Sequence, residues 1–224
     1  MAKLFDQQHP LMRGLSDLAN VLLLSLCWVI FSIPVLTIGS ATAALYCGVQ
    51  KVVNGENIRV FRCFFKSFRE NLKQGVILTL IFGAAAALIY YDYLFSYLVE
   101  DSLAEVLRIT FIVLGVVWVI LVSYTFPLLA LFENTIKNTL KNAMLLSLVH
   151  LGKTIQLVIL HLIPIAVCLL IPDLFVMLLP IWLLGAPGLI AFFSMLRMKK
   201  VWKALLVQAG GQEEIEEAEE ESSV

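Results

Sequence analysis

Six long apolar runs divide this chain, and they constrain its fold more than any other feature. Runs of this length are typical of transmembrane helices, because the backbone polar groups of a segment in lipid must be bonded within it. Charged residues make up 15% of the chain, against about 25% in an average soluble domain. The chain is therefore predicted to be an all-α, polytopic helical membrane protein. The runs are Leu18–Pro34, Thr37–Val53, Val76–Leu98, Val106–Leu131, Ile155–Ile171 and Leu174–Leu196.

The basic residues decide between two span counts. The second run is short and partly polar, so the apolar pattern allows either five or six spans. With six spans and a cytoplasmic N-terminus, fifteen of the sixteen Lys and Arg residues fall on the cytoplasmic side, and Arg108 falls outside. With five spans, Lys3 and Arg13 would have to lie outside. The positive-inside rule therefore predicts six transmembrane helices, with both termini in the cytoplasm.

The second run carries small residues at helical spacing. Ser40, Ala44 and Gly48 are four residues apart, and small residues at this spacing let helix backbones approach closely in lipid. We predict that they form a helix-packing face. The alternative is a substrate path lined by the hydroxyl groups of Thr37, Ser40 and Thr42. A proline and a glycine between the first two runs are predicted to turn them into a tight hairpin.

The segment Asn57–Lys73 is predicted to be an elbow helix that lies in the cytoplasmic membrane surface. Two stripes at helical spacing support this, one apolar and one basic, about 100° apart around the helix axis. Such a helix places rings in lipid and basic groups against anionic headgroups; docking of a partner is the alternative. The apolar stripe is Ile58, Phe61, Phe65, Phe68 and Leu72, and the candidate lipid contacts are Arg59, Arg62, Lys66 and Arg69.

A second elbow, Phe132–Leu148, repeats this pattern less strongly. Its apolar stripe lies beside Lys137 and Lys141, and three amides at spacing four form another stripe. Amides both donate and accept hydrogen bonds, so they can bond a partner without a fixed charge. The candidate partner-docking face is therefore Asn134, Asn138 and Asn142, and the alternative is a hydrated outer face of the helix. The predicted order along the chain is hairpin, elbow, hairpin, elbow, hairpin.

The sequence motifs of enzymatic and metal chemistry are absent. There is no HExxH, GxSxG, Walker A or dinucleotide-binding motif, and the four cysteines lack the spacing of a zinc site or disulfide framework. His161 lies well inside an apolar run, which makes it the candidate polar residue within the membrane. The alternative is a neutral histidine bonded to a neighbouring helix. We predict a non-enzymatic protein with no cofactor and no nucleic-acid partner.

The C-terminal segment differs in character from the rest of the chain. After Val207 the sequence is mostly glutamate, with few large apolar residues, and such a segment cannot bury a core. We expect Gly210 and Gly211 to end the last helix. The predicted organisation is one transmembrane domain over 1–206 and a disordered, acidic cytoplasmic tail over 207–224.

Three segments carry a resemblance to a known family. They are the turn and small residues from Pro34 to Tyr46, the elbow residues Phe64 to Gln74, and the second elbow from Phe132 to Met144. Together they resemble the YesL-like family of bacterial membrane proteins, and the resemblance extends over about residues 1–205. It implies the plasma membrane of a bacterium and a link to carbohydrate import through an ABC-type importer. It carries over no catalytic residue, because the family has none established.

Two functional hypotheses follow. The first is an accessory subunit of a bacterial carbohydrate ABC importer, which contacts the lipid bilayer and the permease subunits. Its binding surface would combine the helix-packing face with the partner-docking face. The second is a small solute transporter or channel acting on its own, supported by the three hydroxyl groups near the first hairpin. The sequence has no nucleotide-binding motif, so ATP hydrolysis by an importer would come from another chain.

Overall fold

A computed structural model describes residues 10–98 and 103–222 of the chain, and the regular structure of these stretches is helical. Lys3 and the side chain of Arg13, both used above, lie outside the described part. The α-helices are α1 (Pro10–Phe31), α2 (Ile38–Asn54), α3 (Val60–Glu70), α4 (Leu72–Phe95), α5 (Leu103–Leu131), α6 (Ile136–Val149), α7 (Leu151–Leu170) and α8 (Pro172–Ser222).

The helices follow the predicted order of hairpin, elbow, hairpin, elbow, hairpin. By length and composition, Gly14–Phe31 of α1, α4 and Ala104–Leu131 of α5 are apolar enough to cross a membrane. Helix α6 and the first part of α7 meet this criterion together, although they are bent by 107° at their junction. The described residues therefore contain three or four candidate spans, and the fold is that of a helical membrane protein.

Helix α2 forms the centre of the molecule. Most of its residues are buried, and it packs against α1, α3, α4, α5 and α8. Small side chains permit this, because helices in lipid associate through close backbone packing rather than through the hydrophobic effect. Gly55 ends α2 with a φ of 79°, a left-handed conformation that glycine adopts without strain.

The turn of the first hairpin lies beside the start of α4. The Gly39 N–H donates to Thr79 Oγ1 at 2.9 Å, and the Ser40 hydroxyl donates to the Leu72 carbonyl oxygen at 3.1 Å. A Cβ atom on Gly75 would lie 2.6 Å from the Ser40 backbone nitrogen, so the two backbones are in contact. The six-span prediction places these residues at opposite faces of a hydrocarbon layer about 30 Å thick. The contact does not agree with that placement, because α1 and α2 turn at the level where α4 begins.

Helix α3 brings the chain back to this level. Its first half contacts the C-terminal half of α2, where the Cys63 thiol is hydrogen-bonded to Cys47. This bond and burial raise the pKa of the Cys63 thiol above its ordinary value. Its last turn contacts the end of α1, where the ring centroids of Phe31 and Phe68 are 5.0 Å apart. The first three helices therefore form one unit, and the end of the unit that carries the hairpin turn meets the start of α4.

Helix α6 has a different geometry from α3. Its bend of 107° relative to α7 is the steep angle expected of a surface helix next to a crossing one. Its buried residues, Thr139, Ala143 and Ser147, face the bundle, and the helix packs against α5. The Thr135 hydroxyl caps its N-terminus by accepting from the Asn138 N–H at 3.4 Å. The position of this elbow in the membrane surface stays a prediction.

Helix α8 is the longest in the structure and closes the bundle against α1. The Gly188 N–H donates to Ser25 Oγ at 2.7 Å, which places the two backbones close together. The helix continues through Gly210 and Gly211, where we expected it to end, and reaches Ser222. Consecutive glycines weaken a helix without forbidding it. The division of the chain before the acidic tail, and the disorder of that tail, stay predictions.

Candidate functional site

An open cavity of about 770 Å³ lies next to the first hairpin turn and is lined by residues from α1, α2, α4, α5, α7 and α8. Val35 and Ile38, at the turn, form part of its wall. Its volume is within the range of roughly 300–1,000 Å³ usual for small-molecule sites. Apolar and aromatic side chains dominate the described lining. The rings are those of Trp28, Tyr46, Phe82, Trp118, Phe126 and Trp182.

Several polar groups of this lining are bonded to the protein itself. Trp28 Nε1 donates to Thr42 Oγ1 at 3.0 Å, and the Thr42 hydroxyl donates in turn to the Ile38 carbonyl oxygen at 2.7 Å. Trp118 Nε1 donates to the Phe82 carbonyl oxygen at 2.9 Å. Both indoles therefore offer the cavity mainly carbon surface.

Thr79, a further lining residue, is paired in the same way. Its Oγ1 donates to the Gly75 carbonyl oxygen at 2.8 Å and accepts from the Gly39 N–H at 2.9 Å. Internal pairing is favoured in a membrane because lipid tails offer no hydrogen-bond partners. The side chains of Trp28, Thr42, Trp118 and Thr79 consequently leave a ligand few groups to bond.

His161, the predicted polar residue within the membrane, lines this cavity. Its Nδ1 lies 2.8 Å from the Leu157 carbonyl oxygen and 3.4 Å from Ser123 Oγ. A carbonyl oxygen only accepts hydrogen bonds, so Nδ1 carries a proton and donates it. In the neutral ring, Nε2 is then an acceptor. Within the described part of the chain, Nε2 has no hydrogen-bond partner.

The hydroxyl path considered for α2 does not form. The Thr37 hydroxyl donates to the Phe31 carbonyl oxygen at 2.7 Å, and the Ser40 hydroxyl donates to the Leu72 carbonyl oxygen. Of the three hydroxyl groups, that of Thr42 belongs to the cavity lining. The Thr37 and Ser40 hydroxyls instead hold the hairpin turn in place against its neighbours.

The predicted helix-packing face is buried inside this chain. Ser40 and Ala44 are both 0% exposed, and a Cβ atom on Gly48 would lie 3.0 Å from Leu24 Cδ1 of α1. Ser40 therefore contacts α4 and Gly48 contacts α1. The face joins helices of the same molecule, so its predicted use as part of the surface for an importer subunit is wrong.

The predicted partner-docking face lies on the outer side of α6. Asn138 is exposed and Asn142 is half-buried, whereas the half-buried Asn134 precedes the helix, which begins at Ile136. The outer side is polar near the start of the helix and apolar near its end. The other exposed residues of α6 are Lys137, Lys141, Met144, Leu145, Leu148 and Val149.

Helix α3 has three faces rather than the two predicted stripes. The four candidate lipid contacts Arg59, Arg62, Lys66 and Arg69 are all exposed. Phe61 and Phe65 lie beside them and are also exposed, at 65% and 54%. The face turned to the protein is formed by Val60, Phe64 and Ser67. Phe64, which the apolar stripe left out, is therefore the ring that anchors α3 to the bundle.

The aromatic wall of the cavity was missed in the sequence. Trp28, Trp118 and Trp182 each lie within an apolar run, and no motif distinguishes them. The position of Trp118 was a usable signal in the sequence. Tryptophan prefers the membrane–water interface, whereas Trp118 lies near the middle of its apolar run. A tryptophan away from the interface needs an internal partner for its N–H, and Trp118 finds one in the Phe82 carbonyl oxygen.

Comparison with known proteins addresses the resemblance noted in the sequence. The family described as "Protein of unknown function, DUF624" matches residues 21–93. This matched stretch is called the DUF624 segment below. The YesL-like proteins are members of DUF624, so the predicted resemblance is confirmed at this level. The DUF624 segment contains the first hairpin turn, all of α3 and most of α4, which are the elements in contact around Ser40.

A relative of this chain is found in Bacillus subtilis (strain 168), where it is named Uncharacterized protein YteU. It is 26% identical over 174 residues, which cover 76% of this chain and 71% of YteU. The similarity therefore reaches well beyond the DUF624 segment. No solved structure matches the chain.

Proposed function

We propose that this chain is a non-enzymatic integral membrane protein that assists a bacterial carbohydrate ABC importer. The outer side of α6 is the observation that carries the proposal. It offers Asn138 and lysines at its start, and Leu145 and Leu148 at its end. A permease subunit lies partly in lipid and partly in the cytoplasm, so it would meet matching chemistry on this one helix. The link to carbohydrate import comes from the YesL-like resemblance.

We infer a topology of four spans in the plasma membrane, formed by the hairpins α4/α5 and α7/α8, with both termini cytoplasmic. A hairpin that enters and leaves a membrane by the same face returns the chain to the side from which it came. The fifteen-to-one division of basic residues is therefore the same whether α1 and α2 cross or turn back. Although Gly14–Phe31 is apolar enough to cross, the contact of the hairpin turn with the start of α4 supports turning back.

Single cysteines distinguish these two topologies. We expect a membrane-impermeant maleimide, added to intact cells, to label Leu98→Cys but neither Val35→Cys nor Asn57→Cys, in a chain whose native cysteines are replaced by alanine. Val35 and Leu98 are 70% and 76% exposed, so the protein itself hides neither site. In permeabilised cells Asn57→Cys should react. Labelling of Val35→Cys from outside would support six spans instead of four. Labelling of Asn57→Cys from outside would show that the orientation is the opposite of the one inferred.

The importer association is tested by a substitution on the outer side of α6. Asn138→Leu removes an exposed amide but keeps the cap, because Thr135 accepts from the backbone N–H of Asn138. We expect roughly threefold to tenfold less permease subunit to co-purify, the effect of losing about one hydrogen bond, with an unchanged amount of inserted protein. Asn57→Leu, another exposed amide away from α6, is the matched control. Equal losses from the two variants would contradict a docking role for α6.

The cavity supports a second function, a small solute transporter or channel acting alone. It lies among the four proposed spans, and the hairpin turn borders it. Against sugar transport, Trp28, Thr42, Trp118 and Thr79 of the lining already bond their polar groups to the protein, whereas a sugar requires several hydrogen bonds in its site. Passage of a sugar or an ion into liposomes that contain this purified chain alone would replace the accessory function with the transporter.

A further inference from the structure

The size and surface of the cavity favour a hydrocarbon occupant. Its volume of about 770 Å³ is lined largely by apolar side chains and by rings such as Trp28, Phe82 and Trp118. Water occupies a buried cavity only where it finds two to four polar partners, and most polar groups here are bonded elsewhere. A hydrocarbon body gains dispersion contacts with these rings that water cannot replace.

One polar atom of the lining defines the polar group of the occupant. Nδ1 of His161 donates a hydrogen bond to the Leu157 carbonyl oxygen of the same helix. Nε2, on the other side of the ring, is not used in this bond. A charged imidazole is costly in apolar surroundings, and the neutral ring leaves Nε2 with a lone pair. Only a hydrogen-bond donor satisfies that lone pair.

We propose that the cavity binds an uncharged amphiphile with a hydrocarbon body and one hydroxyl group, which donates a hydrogen bond to Nε2 of His161. A pure hydrocarbon would leave Nε2 unbonded, and a sugar would bring more hydroxyl groups than the described lining can pair. An anion finds no Lys or Arg among the described residues that line the cavity. This binding site is independent of the importer association, since α6 does not contribute to its lining.

Tryptophan fluorescence provides a direct readout of occupancy. Three of the four tryptophans, Trp28, Trp118 and Trp182, line the cavity, whereas Trp202 does not. The full chain in detergent micelles is titrated with a long-chain alcohol brominated along its chain, and separately with the methyl ether of that alcohol. Bromine quenches the fluorescence of indoles that it contacts. Bound probe should therefore quench the three lining tryptophans and leave the emission of Trp202 unchanged. We expect the alcohol to reach half-quenching at a roughly threefold to tenfold lower concentration than the ether, which lacks the donor.

Three variants locate the site and its polar contact. His161→Leu removes the hydrogen-bond acceptor, so the alcohol and the ether should reach half-quenching at the same concentration. Gly83→Phe fills the cavity from its wall, since a Cβ atom there meets nothing within 4 Å, and it should abolish most of the quenching. Gly115→Phe is the matched control, because Gly115 also faces open space but is not a lining residue. It should behave as the unmodified chain.

Each part of the proposal has a result that overturns it. If the alcohol and the ether quench the unmodified chain equally, His161 does not select a hydroxyl group. If Gly83→Phe and Gly115→Phe are quenched equally, the probe binds outside this cavity. If neither probe quenches the unmodified chain, the cavity does not bind this class of amphiphile. A loss of co-purification with importer subunits would change none of these outcomes, so the two proposals fail separately.

Discussion

Replacing Gly75 by leucine is expected to remove most of the correctly folded protein. The added Cβ atom would lie 2.6 Å from the backbone nitrogen and 2.7 Å from the Cα atom of Ser40. Because these are backbone atoms of the central helix α2, the clash is relieved only when α4 moves away. That movement also breaks the hydrogen bonds of Ser40 with Leu72 and of Gly39 with Thr79. Overpacking typically costs about 1–3 kcal/mol, and we expect a loss at or above the upper end.

The measurement is the yield of monodisperse protein in size-exclusion chromatography, together with its Tm. Gly83→Leu is the matched control, since Gly83 lies on the same helix and a Cβ atom there meets nothing within 4 Å. It should keep a yield and a Tm close to those of the unmodified chain. Similar losses in both variants would show that contact between α4 and α2 does not determine the stability of this fold.

Reversing the charge of the basic stripe on α3 is expected to disturb membrane orientation. The variant replaces four positive charges with four negative ones in the segment that precedes α4, and positive-inside signals act within about 15–20 residues of a span. Each basic residue near an anionic surface is worth about 1 kcal/mol, so about 4 kcal/mol is lost before any repulsion from the new carboxylates. All four side chains are exposed, so no core contact is removed. The substitutions are Arg59→Glu, Arg62→Glu, Lys66→Glu and Arg69→Glu.

Labelling of Leu98→Cys from outside is the readout for this variant. It should fall several-fold relative to the amount of protein made, because a fraction of the chains inserts in the opposite orientation or fails to insert. The control keeps the charge and changes the side chains, with Arg59→Lys, Arg62→Lys and Arg69→Lys, and should label normally. A glutamate variant that inserts and labels like the unmodified chain would show that the stripe does not orient the protein.

The candidate site was predictable from the sequence only in part. His161 could be found because an ionisable residue inside an apolar run is rare and therefore informative. The aromatic wall could not be found in this way. Trp28, Trp118 and Trp182 lie in three different runs, and no spacing along the chain relates them. They come together because α1, α5 and α8 surround the space next to the hairpin turn, which is a property of packing.

The elements themselves follow from local properties of the sequence. The helical class and the order of hairpins and elbows depend on apolar runs and helical period, which neighbouring residues determine. The exposed positions of Asn138 and of the basic stripe on α3 follow from the same periodicity.

The proposal that the first hairpin turns back within the membrane depends on the tertiary structure alone. The positive-inside rule depends on which side the chain returns to, and two crossings return it to the same side as none. Only the contacts of Gly39 and Ser40 with the start of α4 distinguish the two cases. The partners of the small-residue face were decided in the same way. Small residues permit close approach to any helix, and it is the packing around α2 that places Ser40 against α4 and Gly48 against α1.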